Sequence, residues 1–474
     1  MLAIFTFLVV MALCLLAIED FILDSYFYLK KLGPKLLTPT LWQKMVVLKE
    51  KPIAIMVANW KEADVIQRMV IGNLNRIQYK NYHFFIGVYP NDIETLQAAQ
   101  KVESQFPHNV HIIINSEQGP TSKGQMLNQI VHGILRQESI LKIQFDIFLM
   151  QDSEDILHPR SLKIINSEIE NADFLQTPIF SFQRKFSEWV GSTYVDEFAE
   201  LHTKDLFIRH NLGAPVPSAG VGTALNRSLM LALIKNNKGH FLREDSLTED
   251  YVLGMTSSSH GFKTSFVCYY YKNNEKRNEL IATREYFPSH FNAAIRQKSR
   301  WVLGIVFQGI MMIDWKGTLV HKYYLYRDRR GPLINILSFA SIILSFYFFI
   351  NHSINSVYPS FFIEKWFQFG SLISLFGLTS RFLHRAHAVI QVNGLSLLEL
   401  LQIPLRWPLG VFINVLASLR ALNQFQRFLF LNEPLRWVKT THILPENFGL
   451  EGSGTEDLNS NKETENASQN IIEN

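Results

Sequence analysis

Apolar positions along this chain fall into two regimes. Uncharged runs long enough to matter for a membrane occur at Met1 to Ile18, Leu333 to Ile350 and Trp366 to Ser380. Between Lys51 and Met150, by contrast, short β-rich apolar runs alternate with polar stretches of helical periodicity. In this middle region Ile53 to Val57, His83 to Tyr89, Val110 to Asn115 and Ile147 to Met150 read as strands, with helices at Asp64 to Asn75, Asp92 to Gln105 and Lys123 to Gln137. Repeated strand, helix, strand units pack as a parallel sheet with helices on its faces, and ligands of such sheets lie beyond the carboxyl ends of the strands. Asn59 to Glu62, Asp92 and Asp152 to Asp155 each follow a strand and are therefore predicted to line one crevice.

The terminal regions predict membrane association. As a helix, Met1 to Ile18 extends about 27 Å, a short span if it continues past Glu19 and Asp20 at the interface. It lacks a basic leader and a small-x-small cleavage site, so residues 1–28 read as an anchor rather than a cleaved signal. Lys30, Lys31 and Lys35 follow it, which by the positive-inside rule places the N-terminus outside and the next region in the cytosol. Arg327, Arg329 and Arg330 before Leu333, and Arg381 and Arg385 after Ser380, predict an outward and return pair of transmembrane helices over 331–385. Residues 301–326 carry the amphipathic run Val302 to Ile313 and read as an interfacial helix region. The apolar stretch Leu395 to Leu422 is interrupted by Pro404, Arg406 and Pro408, so 395–440 is expected to form broken helices at the interface. Residues 446–474 hold seven acids and one Lys among many Asn and Ser, the composition of a disordered acidic tail.

Charge and cysteines narrow the class. Forty-six Lys and Arg against forty-two Asp and Glu are too balanced for a nucleic-acid partner. Cys14 and Cys268 are the only cysteines, which leaves neither a disulfide framework nor a Cys-based zinc site. No Gly-x-Gly-x-x-Gly and no Gly-Lys-Ser/Thr loop occurs, so the dinucleotide and P-loop readings fall away.

Three motifs carry candidate chemistry. Asp152-Ser153-Glu154-Asp155 at a strand end supplies hard oxygens for Mg²⁺ or Mn²⁺ shared with a diphosphate, although a solvated acidic turn reads equally well locally. Thr248-Glu249-Asp250 places carboxylates in the first turn of a helix through Tyr251 to Ser258. The macrodipole there suits Asp250 as a general base, while Ser246-x-x-Glu249 also fits a capping box. Gln297, Arg300 and Trp301 share a helix face on which an aromatic ring can stack against a sugar and polar groups can bind hydroxyls or phosphate; an interfacial anchor is the plainer alternative for Trp301. Lys123 in Gly119-Pro120-Thr121-Ser122-Lys123 and the turn Gly220-Val221-Gly222-Thr223 are ordinary loop features on local grounds.

Taken together, the stretch from about Lys51 to Phe307 resembles the family 2 glycosyltransferases, and within them the inner-membrane phage-adsorption branch. The resemblance is carried by Tyr89-Pro90-Asn91-Asp92, Gly119 to Lys123, Asp196-Glu197-Phe198-x-Glu200-Leu201-His202, Pro217 to Thr223, Leu247 to Tyr251, Arg284-Glu285-Tyr286-Phe287-Pro288 and Arg296 to Trp301 with Gly304 to Gly309. Weaker similarity continues through Arg327-Asp328-Arg329 and Asn414 to Leu422. It implies an α/β, GT-A type domain with a Rossmann-like mixed sheet over 45–300, flanked by transmembrane and interfacial helices.

By that resemblance Glu62, Asp92, Lys123 and Asp152 are expected to bind the nucleotide-sugar donor, and Asp152, Glu154 and Asp155 the metal. Asp250, with Glu249 beside it, takes the catalytic role; Gln297, Arg300, Trp301, Gly222 and Thr223 face the acceptor. Two positions depart from the usual pattern, Lys61 standing for the Asn before the nucleotide-binding Glu and Ala58 for a Pro. The implied activity is inverting transfer from a UDP-linked sugar, an N-acetylhexosamine, onto a growing surface or secreted polysaccharide. Implied with it are a bacterial inner-membrane location, a cytoplasmic catalytic domain, an outer-membrane export partner and a possible oligomer. Single transfer to a polyprenyl-phosphate lipid, and a non-catalytic assembly or phage-receptor role, are the alternatives.

Overall fold

The computed structural model describes residues 1–273, 278–351, 361–394, 397–435, 443–446 and 448–449. After α1 (Leu2–Leu29) come β1 (Lys35–Leu36) and α2 (Pro39–Val47), the latter started by Thr38, whose hydroxyl accepts the Leu41 N–H, and by Pro39 in its first turn. The expected alternation then appears as β2 (Ile53–Ala58), α3 (Ala63–Leu74), β3 (Tyr82–Val88), α4 (Ile93–Gln105), β4 (Val110–Ile114), α5 (Lys123–Leu141) and β5 (Ile147–Gln151). The strands are apolar at consecutive positions because both faces of the sheet are covered. Ile53, Ile55 and Val57 pack with Val65, Ile66 and Met69 of α3, while Ala54 and Met56 pack with Met126 and Ile130 of α5. Asp92 and Ser122 cap α4 and α5 through side-chain bonds from the N–H groups of Thr95 and Gln125.

The second half of the domain adds β6 (Ile156–Leu157), α6 (Ser161–Glu168), β7 (Phe174–Gln176), β8 (Ile179–Ser181), α7 (Trp189–Glu200), α8 (Leu206–Asn211), β9 (Thr223–Asn226), α9 (Arg227–Asn236), α10 (Glu249–Ser259) and β10 (Thr264–Phe266). The main sheet runs β10-β7-β9-β5-β2-β3-β4, parallel throughout except that β9 is antiparallel to both β5 and β7. That is the mixed α/β sheet the sequence implied. β11 (Tyr269–Lys272) lies between β1 and β12 (Asn278–Ile281), and β13 (Thr283–Glu285) lies between β6 and β8.

The chain then becomes helical: α11 (Phe291–Val302), a π-helical turn at Leu303–Gln308, α12 (Gly309–Met312), α13 (Leu319–Arg329), α14 (Gly331–Asn351), α15 (Phe361–Asn393) and α16 (Leu397–Leu431). Among the described residues three helices are long and apolar enough to cross a membrane: Leu2–Leu29, Gly331–Ile350 and Glu399–Leu431. The expected return span, Trp366 to Ser380, lies instead within α15, which packs along α1. Gly370 faces Val10 and Met11, Gly377 faces Ala17, and the Phe21 and Phe376 rings are 5.7 Å apart.

Two expectations are corrected. The helix expected to break between Pro404 and Pro408 is continuous through both, and Arg406 is 3% exposed because Asp196 of α7 binds its guanidinium with two hydrogen bonds. Two neighbours of Asp196 on α7 are matched in the same way. Lys298 of α11 donates to both oxygens of Glu197 at 2.8 and 2.6 Å, and Arg385 of α15 donates to Glu200 at 2.7 Å. The start of the expected acidic tail is docked: Phe448 is buried against Gly72 of α3, and Arg68 donates to the carbonyls of Pro445, Glu446 and Phe448. Asn447 and 450–474 of that tail, and 395–396 and 436–440 of the expected broken helices, lie outside the described residues.

A buried ion pair costs little when intact and much when halved. Arg406→Leu should therefore destabilise the protein by about 3 kcal/mol or more, seen as a lower unfolding temperature in detergent. Asp196→Leu combined with Arg406→Leu should recover most of that loss.

Candidate active site

The loops after β2, β3 and β5 meet at the carboxyl edge of the sheet. The Lys61 N–H donates to Asp92 Oδ2 at 2.5 Å and the Glu62 N–H to Thr95 Oγ1 at 2.9 Å, so the first two loops are tied to each other. Lys61 has φ of +56°, a left-handed turn that delivers Glu62 to the start of α3. Glu62 and Asp92 are both buried. Asn59 Oδ1 and Gln151 Oε1, at the ends of adjacent strands, are buried without a hydrogen-bond partner among the described residues, as is Asp155 Oδ1.

The acidic turn after β5 is tightly wound. The Asp152 N–H donates to Asp155 Oδ2 at 2.6 Å, the Ser153 hydroxyl donates to Glu154 at 3.1 Å, and the ammonium of Lys123, from the first turn of α5, pairs with the Asp152 carboxylate. Burial, and then the charges of Asp152 and Glu154, hold Asp155 well above the usual carboxylate range. Strand β13 adds an acid that sequence reasoning passed over. Arg284 pairs with Ile156 in antiparallel register, which brings Glu285 level with Asp155. Burial, followed by Asp155, Glu154 and Asp152, raises Glu285 strongly as well. The only trace of it in the sequence was its place in the matched run Arg284 to Pro288.

Among the described residues no group of three or more His, Cys, Asp or Glu side chains forms a ready cage for a metal ion. The acids predicted as ligands share one turn but spend their oxygens on Lys123, Ser153 and a backbone amide. A cluster of mutually repelling hard-oxygen donors with a buried orphan at Asp155 Oδ1 nevertheless fits a divalent cation that takes its remaining ligands from a diphosphate.

Glu249 and Asp250 stand in the first turn of α10, opposite this cluster. The expected capping box does not form: Thr248 is the N-cap and makes no side-chain cap bond, while Ser246 Oγ accepts the Thr248 N–H at 3.2 Å. The Tyr251 N–H donates to Asp250 Oδ1 at 2.7 Å. Burial and then Asp250 push Glu249 up to about 7 against the pull of Lys123. Burial likewise raises Asp250, opposed by Lys123 and Arg300. Lys123 thus sits electrostatically between the acidic turn and the α10 carboxylates, which hold its own ammonium well above the usual lysine range despite burial.

The loop before β9 closes one wall. Gly220 has φ of +82°, and a Cβ there would stand 2.7 Å from Asp250 Oδ2. The two residues assigned to the acceptor from this loop are placed otherwise. Gly222 lies against Thr177, and Thr223 is fully buried with its hydroxyl bonded to Gln176 Oε1 at 2.8 Å and to Ser218, so neither presents a group to the crevice. Arg300 is near enough to act on Glu249, Asp250 and Tyr194. The Gln297 amide oxygen is buried and has no hydrogen-bond partner among the described residues. Trp301 is partly exposed, with Tyr194 and Phe287 edge-on to it at 6.0 and 6.3 Å.

Residues 51–304, more than half of the chain, match the family model described as glycosyltransferase like family 2. The chain belongs to that family. Two curated relatives, bacteriophage adsorption protein B of Escherichia coli K12 and bacteriophage N4 adsorption protein B of E. coli O157:H7, are each 35% identical over 454 residues. The match covers 90% of this chain and 60% of the relatives' length. Solved structures with related shape include a mannosyltransferase of Pyrobaculum calidifontis in complex with GDP-Man and Mn²⁺ (12% identity, TM-score 0.46, covering 87% of this chain and 99% of that one). Another is residues 1–349 of S. aureus TarS with UDP-GlcNAc (11% identity, TM-score 0.34, covering 79% and 91%).

Two consequences of this cluster of buried carboxylates can be measured on the unliganded protein. Glu249 titrates near 7 when folded against an ordinary 4.5, so the folded state holds the extra proton between those values. Its contribution to stability is whole below pH 4.5 and is lost as pH rises through 7. Glu249→Gln should match the parent below that window and exceed it above pH 7, by at most about 3 kcal/mol, in thermal unfolding. Gly220→Ala should destabilise the fold by about 1–3 kcal/mol from its left-handed backbone and its contact with Asp250.

Proposed function

We propose that the chain is a metal-dependent, inverting glycosyltransferase that moves a sugar, an N-acetylhexosamine, from a UDP-linked donor to a growing surface or secreted polysaccharide. The observation that carries this reading is Lys123, paired with Asp152 at the strand end and acted on by Glu249 and Asp250 across the crevice. It marks the spot where a diphosphate leaving group and an accepting hydroxyl would meet.

In this mechanism Glu62 and Asp92 hold the nucleoside, and the Lys123 ammonium faces the diphosphate. Asp250, raised by burial and so a better proton acceptor than a surface carboxylate, takes the proton from the acceptor hydroxyl. That oxygen attacks the anomeric carbon from the face opposite the phosphate, the bond to the phosphate oxygen breaks, and UDP leaves with the electron pair. Arg300 and the unpartnered Gln297 oxygen orient the acceptor, and the exposed side of Trp301 offers a stacking surface. A Mg²⁺ or Mn²⁺ ion, held by Asp152 with Glu154 and Asp155, would supply charge stabilisation for the departing diphosphate.

A multi-pass inner-membrane protein with a cytoplasmic catalytic domain is the topology that goes with this function, the side being given by Lys30, Lys31 and Lys35 after α1. Glu19 of α1 binds Arg327 and Arg330 just ahead of α14, and Asp24 of α1 binds Lys204 of the catalytic domain, so the ends of both helices share the level of that domain. Likeness to phage adsorption proteins suits a product displayed at the cell surface and delivered through an outer-membrane export partner.

Detergent-purified protein given a panel of UDP-sugars should release UDP with one preferred donor only when Mg²⁺ or Mn²⁺ is present. In Asp250→Asn the rate should fall by about 10²-fold or more. Products of increasing length are expected; a single addition to a polyprenyl-phosphate acceptor would replace the polymer reading. Metal-independent turnover, or full activity in Asp250→Asn, would overturn the mechanism.

A further inference from the structure

We infer that Asp328 is a positioning residue that registers the catalytic carboxylates of α10 against the membrane end of α14. The inference rests on the reading of Asp250 as the base. Asp328 lies near the end of α13, and its Oδ2 accepts the Tyr251 hydroxyl at 2.7 Å. Arg209 clamps the same carboxylate from the other side, with Nη1 to Oδ1 at 2.9 Å and Nη2 to Oδ2 at 3.0 Å. Arg209 is itself fixed by its Nε bond to the Pro215 carbonyl at 2.6 Å. Tyr251 is buried and follows Asp250 in the chain, and its own N–H donates to Asp250 Oδ1. One residue therefore holds the base with its backbone and anchors the helix with its hydroxyl.

The neighbours of Asp328 show what the anchor is attached to. Arg327 and Arg330 bind Glu19 of α1, and Arg329 donates to the carbonyls of Gly309 and Ile313 at 2.9 Å each, in the helix that continues from the acceptor motif. Four consecutive side chains thus join the N-terminal membrane helix, the helix beyond Trp301 and the helix of the base, immediately before α14 begins. Leu325, fully buried in a cluster with Tyr251, Val252, Met255 and Ile313, fills the space beneath them. The donor-side groups Glu62, Asp92 and Asp152 belong to loops of the central sheet, whereas Asp328 is bonded to Tyr251 and Arg209. A merely structural contact would change every property together; a positioning contact changes the reaction step and leaves donor binding alone.

The test uses full-length protein with the donor identified above, comparing Asp250→Asn, Tyr251→Phe, Asp328→Asn and the double variant. Donor KM, kcat, UDP affinity by calorimetry and unfolding temperature are read for each. Tyr251→Phe removes one hydroxyl and so preserves folding even if Asp328→Asn does not. The expected result is a kcat lowered roughly tenfold or more in each single variant, with donor KM and UDP affinity within about twofold, and a double variant no worse than the worse single. Unchanged kcat in Tyr251→Phe beside an inactive Asp250→Asn overturns the positioning role alone. Full turnover by Asp250→Asn overturns the base assignment and the inference with it.

Discussion

Three acids on one helix hold this protein together across its two environments. Asp196, Glu197 and Glu200 of α7 are matched by Arg406, Lys298 and Arg385, contributed by α16, α11 and α15. Each of these ions is expensive to take out of water alone, and each becomes tolerable only in the geometry that completes its partner. The cost of misplacing any of the three helices is therefore the exposure of a buried charge. The same constraint orients α11: Lys298 is turned back to Glu197 and Asn414, and Trp301, one turn on, packs against the same Tyr194 ring that lies under the Lys298 ammonium.

A second electrostatic constraint operates inside the crevice. Asp152, Glu154, Asp155 and Glu285 on one side and Glu249 and Asp250 on the other form a field of carboxylates around one lysine. The raised carboxylates and the Lys123 to Asp152 pair are how the fold accommodates that density.

The parallel core was legible because each of its strands is covered on both faces, which leaves uninterrupted apolar runs such as Ile53 to Val57 and Ile147 to Met150. The positions of Glu62, Asp92 and Asp152 followed from strand ends, whereas Lys123 was an ordinary loop lysine on local grounds and was singled out only by the resemblance. What was not legible depended on partners distant in sequence. Arg406 argued for a broken helix until Asp196, 210 residues away, was seen to neutralise it. Thr223 looked like an exposed turn residue, yet the antiparallel insertion of β9 between β5 and β7 buries it against Gln176. Glu285 carried no local signal, since only the pairing of β13 with β6 sets it beside Asp155. The spacing of Ser246 and Glu249 was right for a capping box, but the helix starts two residues later than that box requires, with Thr248 as its N-cap and Ser246 accepting the Thr248 N–H. Phe448, inside a composition that predicts disorder, is held by the gap that Gly72 leaves on α3.

The division of labour between sheet and helices has a mechanical consequence. Groups read as donor contacts sit on loops whose strands share one hydrogen-bonded sheet, so their mutual spacing is fixed by register. Groups read as base and acceptor contacts sit on α10 and α11, whose fixed points are side chains: Tyr251 on Asp328 for one, Lys298 on Glu197 and Asn414 for the other. Side-chain bonds of this kind permit small adjustments that a strand ladder does not. The helical side is also the one tied through Arg327, Asp328, Arg329 and Arg330 to α1 and to the start of α14, two of the helices long and apolar enough to cross a membrane.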